Sequence, residues 1–228
     1  MPDKYMFLDL DNTLYDYKLA HVPAQTELEG YLTRQLKVNS KVISTGLASS
    51  RLKVKERLGS SASAHSRLIY ISEYLREIDC QSHVELSLGA EAIYWNTFLN
   101  NMRAFEGVHN FLLSSRQAGF ANVLVTDLTA SIQRRKLRLL EIDTLFEIVL
   151  TSEEAGGDKI SGLPEKFLAN FLREIEGVCV GDLDSDHLFK DKTSFYKKSQ
   201  RNRSMSPRRS REFNSFPRLQ NELFKILE

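Results

Sequence analysis

An α/β fold built on a parallel sheet is predicted for this 228-residue chain by three observations. Short apolar runs at Tyr5–Leu8, Ala121–Val125 and Val178–Val180, with a weaker one at Phe146–Leu150, have the character of strands buried on both faces. Each run stops on polar residues: Asp9, then Thr126 with Asp127, Gly181 with Asp182, and Thr151 with Ser152. Helical patterns of strand-crossing length separate the later runs. Together these give a three-layer, Rossmann-like parallel sheet. Ligands of such sheets bind at the carboxyl ends of the strands, so these polar residues should converge although they are far apart in sequence.

The first run, in YMFLDLDNTLY, ends on Asp9, and a second acid follows at Asp11, with Thr13 two residues further on. Two carboxylates this close suppress one another's ionisation unless a cation lies among them. Hard oxygen ligands of this kind suit Mg²⁺, with a third acid from Asp182 or Asp186. A calcium loop does not fit DLDNTLYDYKLA, because the glycine expected at its sixth position is Leu14 and the closing Glu is Ala20.

The stretch from 16 to 103 has no convincing strand run. It predicts four helices, at about 25–38, 41–58, 63–79 and 83–102, and is too long for an ordinary strand-to-helix connection. It is therefore expected to be a separate helical subdomain, inserted into a core of residues 1–15 and 104–228. Where the core resumes, GVHNFLLSSRQAG (107–119) places Val108, Phe111 and Leu112 on one helical face. SIQRRKLRLLEI (131–142) repeats Ile132, Leu137 and Leu140. Thr126 follows the second strand run, where a hydroxyl and free N–H groups at a helix start can hold an anionic oxygen. Lys159 lies in SEEAGGDKIS after a glycine pair that lets the loop bend inward, and GDLDSD (181–186) follows the third run with acids at 182, 184 and 186.

From Lys190 to Arg211 the chain carries nine Lys or Arg and one Asp. This stretch predicts a basic loop without a strand, a flexible solvated segment or an electropositive rim for an anionic partner. After it, Phe216, Leu219, Leu223, Phe224 and Leu227 recur at helical spacing, with Ser215 as a cap.

Net charge is +1, with 42% hydrophobic and 27% charged residues. That balance belongs to a soluble globular protein and does not favour nucleic acid or membrane as partner. Two cysteines at no metal spacing exclude a disulfide scaffold. The apolar run near the N-terminus is too short for a signal peptide, and no stretch is long enough to span a bilayer. A cytoplasmic location is expected.

In order, the acid pair, hydroxyl, lysine and acid loop compose a phosphate and Mg²⁺ site. In this arrangement FLDLDNTLYD resembles the first motif of the haloacid dehalogenase-like hydrolase superfamily. MRAFEGVHNFLLSSRQAGF resembles the segment after that family's helical cap, VLVTDLTASIQRRKLRLLEIDTLFEIVLTSEEAGGDK its second and third motifs, and CVGDLDSD its fourth. The resemblance implies a phosphatase with Asp9 as nucleophile and Asp11 as general acid and base, the pKa of Asp11 staying above that of the metal-bound Asp9. It implies Mg²⁺ held by Asp9, Asp182 and the backbone carbonyl of Asp11. Thr126 and Lys159 would bind phosphoryl oxygens, Asp186 would be an auxiliary acid, and Thr13 would support the loop. Residues 16–103 would be the cap, which closes over a small phosphorylated substrate such as a sugar phosphate or nucleotide and excludes a protein. Tyr15 and Tyr17 would contact that substrate or pack at the hinge. A phosphotransferase or mutase would use the same residues, and a catalytically weak binding protein would conserve the fold alone. The sequence departs from the family pattern at Asp127, Ile160 and the basic stretch.

Overall fold

The computed structural model describes residues 4–199 and 211–224. In chain order the regular elements are β1 (Lys4–Leu8), α1 (Tyr17–Leu36), α2 (Ser40–Leu58), α3 (Arg67–Glu77), α4 (His83–Asn100), α5 (Val108–Gln117), β2 (Phe120–Thr126), α6 (Ala130–Leu139), β3 (Ile148–Thr151), α7 (Ser152–Ala155), α8 (Leu163–Ala169), β4 (Gly177–Gly181), β5 (Thr193–Lys198), β6 (Arg211–Phe213) and α9 (Phe216–Phe224). Two compact units result, one of Met1–Asp16 with Arg103–Glu228 and the other of Tyr17–Met102.

In the first unit the strands form one sheet in the order β3-β2-β1-β4-β5-β6, every neighbouring pair parallel. Strand β1 is central and buried from Tyr5 to Leu8 because neighbours cover both its faces. The order runs outward from β1 in one direction and from β4 in the other. The reversal lies between β1 and β4, where an open sheet leaves a crevice at its carboxyl end. Leu8 pairs in register with Val180 and Leu124, which brings Asp9 level with Gly181. One face of the sheet is packed with Phe7, Val123, Val125, Leu150, Cys179 and Phe195 against Leu168 and Leu188.

The basic stretch is not a loop throughout. Residues 193–198 form β5, with Phe195 and Tyr196 buried, and residues 211–213 form β6. Lys198 is itself buried, its ammonium 4.4 Å above the Phe105 ring and 5.7 Å above that of Phe213, so its stem covers apolar surface. An aliphatic lysine stem serves the sheet where an alternation of apolar residues would be looked for. Arg208, Arg209 and Leu227 lie outside the described residues.

The second unit is four helices. Its interior is made by Ala20, Ala24, Leu28 and Leu32 of α1, Ile43, Leu47 and Val54 of α2, Tyr70, Ile71, Tyr74 and Leu75 of α3, and Ala90, Tyr94, Trp95 and Phe98 of α4. Helix α1 starts at Tyr17, well before the expected residue 25, and runs through Pro23. Gly46 permits the close packing of α2 on α3, since a Cβ there would lie 2.2 Å from the Tyr74 ring. No described helix is long and apolar enough to cross a membrane.

Cys80 is half-buried and Cys179 is buried, both as free thiols. Burial pushes the Cys179 thiol up to about 12, so little thiolate forms at neutral pH. One thiol per native chain should therefore react with Ellman's reagent, and both of the chain's two should react in guanidinium. Two rapid equivalents without denaturant would show that the β4 core opens readily.

Candidate active site

Asp9 leaves the end of β1 with its backbone N–H donating to Val180 of β4, 3.0 Å away. Its side chain is buried and held from two directions. Oδ1 accepts from Lys159 Nζ at 2.5 Å, and Oδ2 accepts from Thr13 Oγ1 at 2.9 Å. Thr13 is thus a rigid prop for Asp9, four residues along the same loop. Lys159 also pairs with Asp186 Oδ1 at 2.7 Å. Burial opposes the ammonium, but Asp9 and then Asp186 and Asp127 raise its pKa well above the usual value, so it stays charged.

Asp186 does two further things. Its Oδ2 accepts from the backbone N–H of Asp182 at 2.9 Å and of Leu183 at 2.8 Å, which folds the acid loop back on itself. The fold-back requires glycine at 181, because a Cβ there would sit 2.2 Å from the Asp186 Cβ. The loop then presents Asp182 to the crevice beside Asp9.

Carboxylate oxygens of Asp9, Asp182 and Asp186 lie within 4.8 Å of one another. Three buried acids against one lysine leave negative charge in excess. The strain appears on Asp9, whose pKa is raised well above the carboxylate range, first by burial and then, against the pull of Lys159, by Asp186 and Asp182. Hard oxygens with surplus negative charge are the donor set a Mg²⁺ ion takes, so these residues fit the ion.

Asp11 faces a different set of partners. Its Oδ1 accepts from Lys136 Nζ at 2.6 Å and from the Tyr15 hydroxyl, and its Oδ2 from Gln133 Nε2 at 2.9 Å. Burial would raise its pKa, yet Lys136 above all, with the Tyr15 and Gln133 hydrogen bonds, brings it below the ordinary value. Among the protein's own groups Asp9 is thus raised and Asp11 lowered, whereas the expected order is that of a site with Mg²⁺ on Asp9. The lowering of Asp11 comes chiefly from Lys136, whose side chain is only 1% exposed.

Thr126 is buried at the end of β2, and its hydroxyl accepts from Gln133 at 2.6 Å. Gln133 also reaches the Asp127 carbonyl at 2.8 Å, so one amide spans Asp11, Thr126 and the turn after β2. The Asp127 carboxylate accepts from the backbone N–H of Lys159 at 2.9 Å, which turns its charge to holding the lysine loop. Ile160 is 80% exposed and takes no part in positioning Lys159. Tyr15 is fully buried on Asp11, and the Tyr17 hydroxyl accepts from Arg67 Nη2 at 2.6 Å within the helical unit. Thr151 is a helix cap, exchanging hydrogen bonds with Glu154.

Gln133 and Lys136 were missed in the sequence, although a signal is present. They fall between Ile132 and Leu137 on the inward face of α6, where an amphipathic helix should carry apolar residues. Polar side chains inside an apolar stripe need a partner, and here the partner is Asp11.

No family model matches the chain. A curated relative, ribulose-1,5-bisphosphate 5-phosphatase of Halopiger xanaduensis, is 30% identical over 193 residues, covering 79% of this chain and 77% of its own. A second, glyceraldehyde 3-phosphate phosphatase of Pyrococcus furiosus, is 28% identical over 182 residues, covering 78% and 72%. Among solved structures, the Bacillus subtilis protein YfnB, described as a HAD-hydrolase and crystallised bound to magnesium, superposes with a TM-score of 0.61 at 15% identity. That match covers 96% of this chain and 98% of the other.

Proposed function

The chain belongs to the haloacid dehalogenase-like hydrolase superfamily, and we propose that it is a Mg²⁺-dependent phosphatase of small phosphorylated metabolites, with sugar phosphates the first candidates. The observation that carries this reading is Asp9, buried at the end of the central strand, held by Lys159 and Thr13 and faced by Asp182. Two sugar-phosphate phosphatases among its relatives support the substrate class. The helical unit, residues 17–102, is on this proposal the cap.

Asp9 and Asp182, with the backbone carbonyl of Asp11, would hold the metal, and Asp186 would brace the loop that carries Asp182. Bound there, Mg²⁺ supplies the charge neutralisation that lets a phosphoryl group approach a carboxylate. The chain's own groups do the rest. In the first step an Asp9 oxygen attacks phosphorus, the bond to the leaving oxygen breaks, and Asp11 gives that oxygen a proton. In the second, water attacks the phosphorus of the aspartyl-phosphate, its proton passes to Asp11, and the bond to Asp9 breaks. Lys159 balances charge on Asp9 and on the phosphoryl oxygens. The Thr126 hydroxyl reaches the Asp127 carbonyl only at 3.5 Å, so its proton is available to a phosphoryl oxygen.

A panel of glyceraldehyde 3-phosphate, ribulose 1,5-bisphosphate, other sugar phosphates and nucleotides, assayed for phosphate release, tests this directly. Release should require Mg²⁺, stop in EDTA and return on adding back the metal. Turnover of the best substrate at an equal rate in EDTA would overturn the metal requirement, and no release from any phosphomonoester would overturn the activity.

A further inference from the structure

The helical unit contains a cavity of about 190 Å³ lined by His21, Gln25, Glu29, Arg51, Arg67 and Tyr70 among others. Apolar side chains of Leu28, Leu47 and Ile71 complete its wall. Two features set it apart from ordinary helix packing. First, it brings together two guanidinium groups from different helices, Arg51 of α2 and Arg67 of α3. Second, the partners of Arg67 are aromatic: its Nη2 donates to the Tyr17 hydroxyl at 2.6 Å, and its guanidinium lies 4.5 Å from the centre of the Tyr94 ring and 5.9 Å from that of Tyr70.

These contacts hold the cation in place without neutralising it. Burial raises the hydroxyls of Tyr94 and Tyr70 above their usual range, so both rings stay uncharged at neutral pH. Arg51 hydrogen-bonds the Tyr70 hydroxyl, again a neutral partner. His21 stands beside them, with its Nδ1 2.9 Å from the Tyr94 hydroxyl. Burial, then Arg67 and Arg51, pull its pKa down to about 4, so it is a neutral hydrogen-bonding group at pH 7. Glu29 is the acid in the lining, and its Oε1 accepts from Gln25 at 2.8 Å. Two cations against one acid leave the cavity positive. A guanidinium kept in position by aromatic rings and neutral hydroxyls is arranged for an oxyanion.

We propose that this cavity is an oxyanion site, taking the phosphate or carboxylate group of a small molecule between Arg51 and Arg67, with Leu28, Leu47 and Ile71 against the molecule's carbon skeleton. The site lies wholly within the helical unit and stands independently of the role given to Asp9. The occupant is a free small anion, such as inorganic phosphate.

A built-in reporter makes the test direct. The chain has one tryptophan, Trp95, whose ring centre is 5.0 Å from that of Tyr94, the ring beneath Arg67. Inorganic phosphate titrated into the full-length protein in EDTA, at constant ionic strength, should change Trp95 fluorescence saturably in the millimolar range. Arg51→Met should weaken this binding about tenfold or more, the loss of one charge-assisted contact, and Arg67→Met should do the same. Arg51 is exposed, so its variant should melt like wild type and report binding alone. Asp9→Asn should leave the titration unchanged, which separates this site from the proposed nucleophile. A fluorescence change that does not saturate, or an equal dissociation constant in Arg51→Met, would overturn the site.

Discussion

Asp9→Asn should abolish phosphate release, by about 10³-fold or more, while leaving the protein as stable as wild type in EDTA. The loss follows, on the proposed mechanism, from removing the attacking oxygen, for which the amide is no substitute. The retained stability follows from the electrostatics of the crevice. Asp9 is buried with Asp182 and Asp186, and Lys159 pairs with Asp9 and Asp186. Removing one negative charge from a group with an excess of them relieves repulsion, and Lys159 keeps Asp186 at 2.7 Å. The pH dependence has a definite sign. The folded-state pKa of Asp9 is raised, so the folded protein binds a proton there more tightly than the unfolded chain does. The stability this gives is full below the ordinary carboxylate pKa and is lost as pH rises through the raised value. In EDTA, thermal melts of wild type should show that loss and Asp9→Asn should lack it. Mg²⁺ should raise the melting temperature of wild type by mass action and that of the variant far less. A variant that still releases phosphate at a wild-type rate would remove Asp9 from the chemistry. One that melts far lower in EDTA would mean that Asp9 is held by net attraction, contrary to the charge count.

The ends of the buried strands were legible for a physical reason. A parallel strand covered on both faces must be apolar throughout, so its last apolar residue marks where the chain emerges at the crevice. This places Asp9 after Leu8, Thr126 after Val125 and Asp182 after Gly181. Strand β5 obeys a different rule. Its TSFYKK sequence supplies two aromatic residues and two lysines, and Lys198 is buried through its stem and two rings, which composition registers only as charge. Helix α1 begins earlier than expected and accommodates Pro23 in its interior. The surroundings of Asp11 were hidden for a third reason. They come from α6, more than 120 positions away in sequence, and two polar residues in an apolar stripe do not announce which acid they will meet. Lys159 was easier to place, because the glycine pair before it marks a loop that turns inward.

Replacing Lys136 is the change that separates the two acids most clearly. Lys136→Met should lower kcat by about 10²-fold, within the range a positioned proton-transfer group contributes, and leave KM nearly unchanged. Lys136 touches Asp11 and has no assigned contact with the phosphoryl group, so ground-state binding should survive. Asp11 would keep the Tyr15 and Gln133 hydrogen bonds but lose the ammonium at 2.6 Å that fixes Oδ1. The pH profile supplies a readout that simple loosening of the fold would not. Burial raises the Asp11 pKa and Lys136 is the main influence lowering it; without the lysine the balance moves upward. The limb of the kcat profile governed by Asp11 should therefore shift to higher pH, whether proton donation or water activation limits the rate. Stability should fall by only about 1–2 kcal/mol, because Asp11 is 29% exposed and water can replace part of what is lost. Lys136→Arg, which keeps the charge on a longer fork, should recover the position of the limb more fully than it recovers kcat. A Lys136→Met enzyme with an unshifted profile and wild-type kcat would show that the ion pair only anchors α6 to the first loop. A shifted limb would establish that the lysine buried on α6 sets the protonation of Asp11, the proposed general acid and base.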